Sequence, residues 1–338
     1  MKLKVTMTVI MLLAVIAAVY AKSLAEICQS SEVMACRYMD KITLMDLNSG
    51  EEAELNNSPG VLSICFSKTG QKLYYLVSES EPGLRYEDPY TEYLVLNEIA
   101  LPNPKPLQLL KLKVQPDFEE ESYSYAKILL NKEANVSIIV TYGMYFPDHC
   151  LKYVYNVGTK KVSAAQKYNF TPLADAYKFK NTPAITSESG KYYSLKGDWY
   201  YNLYTKNEEG YDWVMTDIGE LLNGDVPKDE PLLYSVSPDS TRILFSYASV
   251  GRGTFGGTFC MNLQGEKLIT LSGHKWMGDE FVPYWTKDNR LVYLHQGDSS
   301  YDKEKPSINF VDANCEQTVL KSWDDYWKGP MEVVYRQQ

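Results

Sequence analysis

Five kinds of side chain in this sequence have chemistry worth placing: closely spaced glycines, paired carboxylates, histidines, cysteines and aromatics in polar loops. Gly251, Gly253 and Gly256 spell G-x-G-x-x-G inside "SVGRGTFGGTFCMN", residues 249–262. A dinucleotide-binding fingerprint needs a helix directly after its glycines, to aim N–H groups and a dipole at the pyrophosphate. The glycines here run instead into "TFCMNL", which predicts a strand. A kinase Gly-rich loop does join two strands, but it needs V-A-I-K and H-R-D segments, and the chain has neither. The glycines therefore read as a flexible hairpin connection, in which Arg252 and Phe255 are the side chains able to bind.

Metal and nucleophile chemistry finds little support. The three histidines, His149, His274 and His295, form no H-x-H or H-E-x-x-H spacing, so a zinc site is not indicated. There is no G-x-S-x-G and no D-x-D-x-D-G calcium loop. No metal and no cofactor is expected. The six cysteines, at 28, 36, 65, 150, 260 and 315, include no C-x-x-C. They allow 15 disulfide connectivities, and spacing selects none.

The N-terminus sets the compartment. Lys2 and Lys4 precede an uncharged apolar run over Val9 to Ala18, with the small residues Val19 and Ala21 at a cleavage position. Residues 1–21 read as a secretory signal peptide, the run being shorter than the roughly 20 residues that span a bilayer. The expected mature chain begins at Lys22, has no membrane span, and is extracellular or periplasmic, where disulfides persist. Its formal charge moves from −9 for the whole chain to −11 without the two lysines. That sign excludes a nucleic-acid partner, since phosphate neutralisation needs a basic face.

The elements that must position any site come from a repeat. "YSVSPDSTRILFSYAS" (234–249) reads as a short strand, a polar turn and an alternating strand. "VPYWTKDNRLVYLHQ", "VLSICFSKTGQKLYYLVS", "YAKILLNKEANVSIIVTYG" and "PAITSESGKYYSLKG" share that grammar. A second hairpin comes after each, such as "TFCMNLQGEKLITL" with its turn at Gln264 and Gly265. Each unit thus has four strands, a to d, and Gly190, Ser240 and Asn289 mark turns about 50 residues apart. Four-stranded units in tandem are the signature of a β-propeller. Residues 32–55 supply strands b, c and d without a, and residues 331–337 supply one lone strand. Joined, they complete a sixth blade and remove exposed edges. The expectation is all-β: a single six-bladed propeller over residues 22–338, closed by its C-terminal strand.

The segment "SPDSTRILFS" resembles the repeat of TolB-like propellers, within the wider WD-like group, through Ser237, Pro238, Asp239, Arg242, Ile243, Phe245 and Ser246. "SKTGQKLYYLVS" and "TKDNRLVYLHQ" match it without the Ser-Pro pair. The resemblance implies the propeller fold and no particular activity, because propellers host many. The chain has no room between Lys22 and Glu32 for the N-terminal α/β domain of TolB, and no C-terminal hydrolase domain is expected.

In such a fold strand a lines a central channel. The b–c loops and d–a connections emerge on one face, where the long segments 78–92, 143–150, 249–257 and 296–306 collect. Long loops on a rigid scaffold carry function. Glu119, Glu120 and Glu121, then Asp229 and Glu230, then Asp279 and Glu280 precede three of the a strands. They read as an acidic rim for a basic peptide, or a cation, or else as solvated loop charge. Tyr86, Tyr90, Tyr145, Phe146, Phe255 and Tyr301 stand in the same loops, as anchors for a peptide or sugar or as cover for their own blades. Trp199, Trp213 and Trp285 fall in strands and are expected to pack blades.

Paired-carboxylate catalysis finds no acids on "LSICFS", "AKILL", "PAITS", "YSVS" or "VPYW"; Glu332 in the closing strand is the one candidate. The reading is a non-catalytic scaffold for a protein or peptide, with a carbohydrate-binding or carbohydrate-active propeller as the alternative. Cys28 and Cys315 fall on the a–b and c–d turn side of adjoining blades, so a Cys28–Cys315 disulfide is expected to pin the closure. Cys65, on an inner strand, is expected to be a buried free thiol. Asn56, Asn135 and Asn169 open glycosylation sequons.

Overall fold

A computed structural model describes residues 23–39, 41–81, 91–114, 123–142, 150–168, 184–186, 190, 192–196, 202–206, 212–217, 232–248, 256–263, 267–273, 283–295, 305–324 and 329–336. The chain divides into two compact units, Met1–Tyr168 with Pro330–Gln338, and Asn169–Gly329.

The first unit holds three antiparallel sheets. In one, β1 (Val33–Arg37), β2 (Lys41–Asp46) and β3 (Glu52–Asn57) come in order, and β25 (Glu332–Tyr335) pairs with β1. The register sets Arg37 opposite Glu332 and Met34 opposite Tyr335. The next sheet runs β4 (Val61–Phe66), β5 (Lys72–Glu81), β6 (Thr91–Ala100) and β7 (Pro106–Lys113). The third runs β8 (Tyr123–Leu130), β9 (Val136–Tyr142), β10 (Cys150–Asn156) and β11 (Lys161–Val162), with β12 (Gln166–Tyr168) also on β10.

The second unit holds three more. They are β13 (Ala184–Thr186) to β14 (Tyr192–Lys196), β15 (Asn202–Lys206) and β16 (Asp212–Asp217); β17 (Leu232–Val236) to β18 (Arg242–Ala248), β19 (Gly256–Asn262) and β20 (Leu268–Gly273); and β21 (Tyr284–Trp285) to β22 (Leu291–His295), β23 (Ser307–Val311) and β24 (Gln317–Ser322).

β23 is buried at every residue, whereas its outer neighbour β24 is mostly exposed. Lysines and a proline on the outer strand β7 discourage further pairing there. Within a sheet, cross-strand pairs add to this: Phe245 and Phe259 lie opposite each other and stack with centroids 5.5 Å apart, an arrangement worth about 0.5–1.5 kcal/mol beyond its buried area.

One local device builds the turn after the first strand of four sheets. The N–H of residue i+3 bonds to the carbonyl of i in Ser67–Gly70, Asn131–Ala134, Ser237–Ser240 and Thr286–Asn289. The last residue has positive φ each time: 66° at Gly70, 61° at Ala134, 58° at Ser240 and 64° at Asn289. The side-chain oxygen at i then takes a backbone N–H just past the turn, as Ser237 Oγ does from Arg242 at 2.9 Å and Thr286 Oγ1 from Arg290 at 2.9 Å. A short polar side chain is needed at i because it completes the hydrogen bonding that the reversal leaves open. The turn Asp312–Cys315, between β23 and β24, uses the same geometry, with Cys315 at φ 56°.

Before β1 lies a short helix, α1 (Leu24–Gln29). Its capping box joins Ser23 and Glu26 reciprocally, a pattern visible in the sequence as Ser-x-x-Glu. Its Ile27 is fully buried in a cluster with β1–β5 residues including Val33, Leu44, Ile64 and Tyr75.

The expected Cys28–Cys315 disulfide is not formed, and all six cysteines are free. Cys315 has left-handed backbone, and its side chain lies in an apolar cluster of the second unit that also contains Cys260. Cys28 instead lies at the end of α1, whose backbone Arg336 holds through the Cys28 carbonyl at 2.9 Å. Cys65 is a free, buried thiol, as expected. No helix among the described residues is long and apolar enough to cross a membrane.

Candidate functional site

The inner strands of the first unit carry its most concentrated buried polar chemistry. β25 packs beside β4, and β4 beside β8. Glu332, from β25, is 5% exposed. Its Oε2 accepts from Arg37 Nε at 3.1 Å and from the Ile64 N–H at 3.0 Å. Its Oε1 accepts from Ser63 Oγ at 2.9 Å. Ser63 Oγ in turn accepts from the Ile128 N–H of β8 at 3.2 Å. Arg37 Nη1 also donates to the Val61 carbonyl at 3.2 Å. One carboxylate thus ties four strands, β1, β25, β4 and β8, through a serine.

Each strand contributes for a local reason. Glu332 opens the lone C-terminal strand, opposite Arg37 in register. β4 shifts register between Val61 and Ser63, and such a bulge re-aims side chains. Nearby Lys127 is buried on β8, and Cys65 on β4 has its thiol pushed up by burial and then by the Glu332 charge, beyond any physiological ionisation.

Chemically, this carboxylate is occupied on both oxygens by donors. A general acid or base needs a proton site within reach of a substrate, and these oxygens spend their hydrogen bonding on the scaffold. Glu332, the one acid that sequence placed on an inner strand, is here the centre of an inter-sheet fastening. Sequence reasoning missed its partners: nothing in "ACRYM" or "LSICF" marks Arg37 or Ser63 as polar residues directed into one cluster.

The second unit has a corresponding polar fastening of different make. Arg242 is fully buried. Its Nη1 donates to the Val311 carbonyl at 3.1 Å and to that of Asp312, and its Nη2 to that of Asn289. The guanidinium lies 5.0 Å from the Trp285 ring, whose Nε1 donates to Ser235 Oγ at 2.7 Å. Arg242 is therefore a clamp from the β17–β20 sheet onto the β21–β24 sheet, and Trp285 is a packing residue, as expected. Asp239 joins in: its N–H donates to Asn289 Oδ1 at 3.0 Å. Burial would raise its carboxyl, but bonds from the Ser237 and Thr241 hydroxyls and the Thr241 N–H, with the Arg242 charge, hold it below the usual value.

Of the expected site residues, Glu120, Glu121, Asp229, Glu230, Asp279 and Glu280 lie outside the described residues. So do Tyr86, Tyr90, Tyr145, Phe146, Arg252, Phe255 and Tyr301, and the signal segment 1–21. Their flanks are described: β18 ends at Ala248, β19 begins at Gly256, and the two pair as neighbours from Arg242↔Asn262 to Ala248↔Gly256. A strand, and not a helix, succeeds the G-x-G-x-x-G, which removes the dinucleotide reading. Among the described residues no group of three or more His, Cys, Asp or Glu is arranged to hold a metal.

No family model matches the sequence, and no curated protein matches it. Solved structures with some likeness include the tricorn protease, at 12% identity and TM-score 0.38, over 86% of this chain and 26% of that one. The chain therefore spans about a quarter of the tricorn protease. The periplasmic gluconolactonase of Pseudomonas aeruginosa is similar at 12% identity and TM-score 0.37, over 86% of this chain and 82% of that one. A protein provisionally assigned as TolB from Agrobacterium tumefaciens is similar at 13% identity and TM-score 0.31, over 86% and 88% of the two chains.

Proposed function

We propose that the six sheets are the blades of one six-bladed β-propeller of the TolB-like kind, closed where β25 pairs with β1. In this reading it is a secreted or periplasmic, non-catalytic scaffold that binds a protein or peptide partner. The observation that supports it most is an asymmetry within the sheets. Four of the turns after a first strand are short and closed by backbone and side-chain hydrogen bonds. The connections between second and third strands are long in four sheets, covering 82–90, 143–149, 249–255 and 296–306. One end of each such sheet is thus spent on structure, and the long connections that this reading assigns to recognition fall at the other. The occupied oxygens of Glu332 favour a scaffold over an enzyme.

The partner surface comprises the acids at 120, 121, 229, 230, 279 and 280 with Arg252 and the loop aromatics, which suits a basic peptide. Panning a random peptide library on the immobilised protein should enrich basic, aromatic-containing peptides. Replacing Glu120, Glu121, Asp229 and Glu230 by their amides should weaken their binding at least tenfold, and Arg252→Ala with Phe255→Ala should weaken it further. Strong, saturable binding on a glycan array, with no peptide enrichment, would instead support the carbohydrate-binding alternative.

A further inference from the structure

Cys260 stands within β19, opposite Leu244 of β18 and Ile269 of β20, and is fully buried. Cys315 closes the turn between β23 and β24, with its N–H bonded to the Asp312 carbonyl at 3.1 Å. The two belong to different sheets but to one apolar cluster, with Leu244, Leu271, Leu291, Tyr293 and Val311 around them. The Cys260 thiol and the Asn262 N–H are near enough to the Cys315 sulfur to bias its ionisation. Arg242, fixed by the carbonyls of Val311, Asp312 and Asn289, is close enough for its charge to act on both sulfurs.

We propose that Cys260 and Cys315 are a disulfide-forming pair that covalently joins the β17–β20 sheet to the β21–β24 sheet on meeting a disulfide oxidant such as oxidised glutathione. Their surroundings assign the two roles. The thiol of Cys260, the Asn262 N–H and the Arg242 charge favour the thiolate at Cys315, holding it below the ordinary thiol value. The neighbouring Cys315 sulfur, and then burial, push the Cys260 thiol up. Cys315 is also the more exposed, at 9% against 0%. The Cys315 thiolate attacks one sulfur of the oxidant, whose S–S bond breaks and releases one thiolate. Cys260 gives its proton to that leaving thiolate and attacks the Cys315 sulfur. The Cys260–Cys315 bond forms as the mixed disulfide breaks and the second glutathione departs as a thiolate, which takes from water the proton that Cys315 gave up on ionising. Two protein thiols are oxidised and one small disulfide is reduced to two thiols. Closure brings the two sulfurs to the ordinary bond length of about 2.05 Å.

The proposal is independent of the partner surface and is tested on the full chain. Protein purified with reductant is treated with excess oxidised glutathione, quenched in acid, alkylated under denaturing conditions and digested without reduction. The expected product is one cross-linked species joining the Cys260 and Cys315 peptides, lost on reduction, with Cys28, Cys36, Cys65 and Cys150 alkylated. Cys260→Ser should leave glutathione on Cys315, whereas Cys315→Ser should leave Cys260 unmodified. Recovery of Cys260 and Cys315 as free thiols, or of Cys315 joined to Cys28, overturns the assignment. Since the wild-type map alone gives that answer, a variant that misfolds leaves the test intact.

Discussion

Glu332→Ala tests the fastening of the first unit most directly. The change removes the acceptor for three donors: Arg37 Nε at 3.1 Å, Ser63 Oγ at 2.9 Å and the Ile64 N–H at 3.0 Å. The side chains of Arg37 and Glu332 are 13% and 7% exposed, so water reaches the stranded groups poorly. Removing one partner of a buried ion pair costs about 3–5 kcal/mol. Each buried donor left unsatisfied adds about 1–3 kcal/mol, although Arg37 keeps the Val61 carbonyl and Ser63 keeps the Ile128 N–H. The expected net loss is about 4 kcal/mol, which for a unit of this size lowers Tm by roughly 10 °C. Glu332→Gln should lose about half as much, since one oxygen remains but an NH2 group now faces Arg37. Thermal and urea unfolding of the single variants, Arg37→Ala and the double variant give a coupling energy, expected above about 1 kcal/mol. A Glu332→Ala protein that melts within 2 °C of the parent (roughly within error on this scale), or a coupling of zero, would refute the fastening.

Three further outcomes rest on the turns. At Gly70, with φ 66°, an added Cβ would meet Arg336 Cγ at 2.4 Å, whereas at Gly190, with φ 82°, it would meet nothing within 4 Å. Gly70→Ala should therefore lower the urea midpoint clearly more than Gly190→Ala, which carries only the left-handed backbone cost of about 1–2 kcal/mol. In the second unit Asp239 and Asp288 both titrate below the usual carboxylate value: burial raises each, but hydroxyl and backbone bonds with Arg242 or Arg290 outweigh it. Their folded values are depressed, so the stability they add is present above pH ~4 and is lost as pH falls through the folded values. The parent should lose melting temperature there, and Asp239→Asn with Asp288→Asn should flatten that decline; an unchanged pH profile would count against it. Asn135 Oδ1 accepts the Val157 N–H at 3.2 Å and Ser137 is buried, whereas Asn56 lies near the end of the outer strand β3. Expression through a eukaryotic secretory pathway should therefore place a glycan on Asn56 and none on Asn135, as read by mass mapping after deglycosylation.

The order and pairing of strands are legible because the repeat writes them locally. "YSVSPDSTRILFSYAS" names its own turn, and Ser237, Asp239 and Thr241 make that turn's bonds among themselves. The lone "MEVVYR" can be matched to the incomplete first sheet because that sheet lacks one strand, and β25 does pair with β1. The helix α1 is written in the chain too, as Ser23-x-x-Glu26, but so short a signal is overshadowed by the apolar run over Val9 to Ala18 before it. The hidden part depends on which sheets adjoin at side-chain resolution. Arg242 is legible in sequence as a residue of the repeat, but its role as a clamp emerges only when the carbonyls of Asn289, Val311 and Asp312, 47 to 70 residues away, are seen around it. Sequence puts Cys315 in the right turn but does not reveal that it shares an apolar cluster with Cys260. Topology tells which side of a sheet a turn occupies, whereas the apolar cluster of Leu244, Leu271, Leu291 and Val311 that takes up the Cys315 side chain is seen only in the structure.

The two units settle buried charge differently, and this bears on what each can tolerate. In the first, Arg37 meets Glu332, so the cation has an anion and the closing strand is selected by charge as well as by backbone pairing. In the second, Arg242 is bonded to carbonyl oxygens, which carry partial charge only, and the Nε has no partner among the described residues. Two groups respond to its charge: the Asp239 carboxylate at the turn and the Cys315 sulfur. Forming the Cys260–Cys315 bond removes the sulfur's negative charge and leaves Asp239 and the carbonyls to hold the guanidinium. The disulfide offsets that loss by constraining the unfolded chain, by about 4 kcal/mol for a loop of this length in the chain-entropy account. Oxidation thus exchanges an electrostatic fastening between the two sheets for a covalent one at the same place, so the clamp can persist in either redox state while Arg242 remains where the β17–β20 sheet reaches its neighbour.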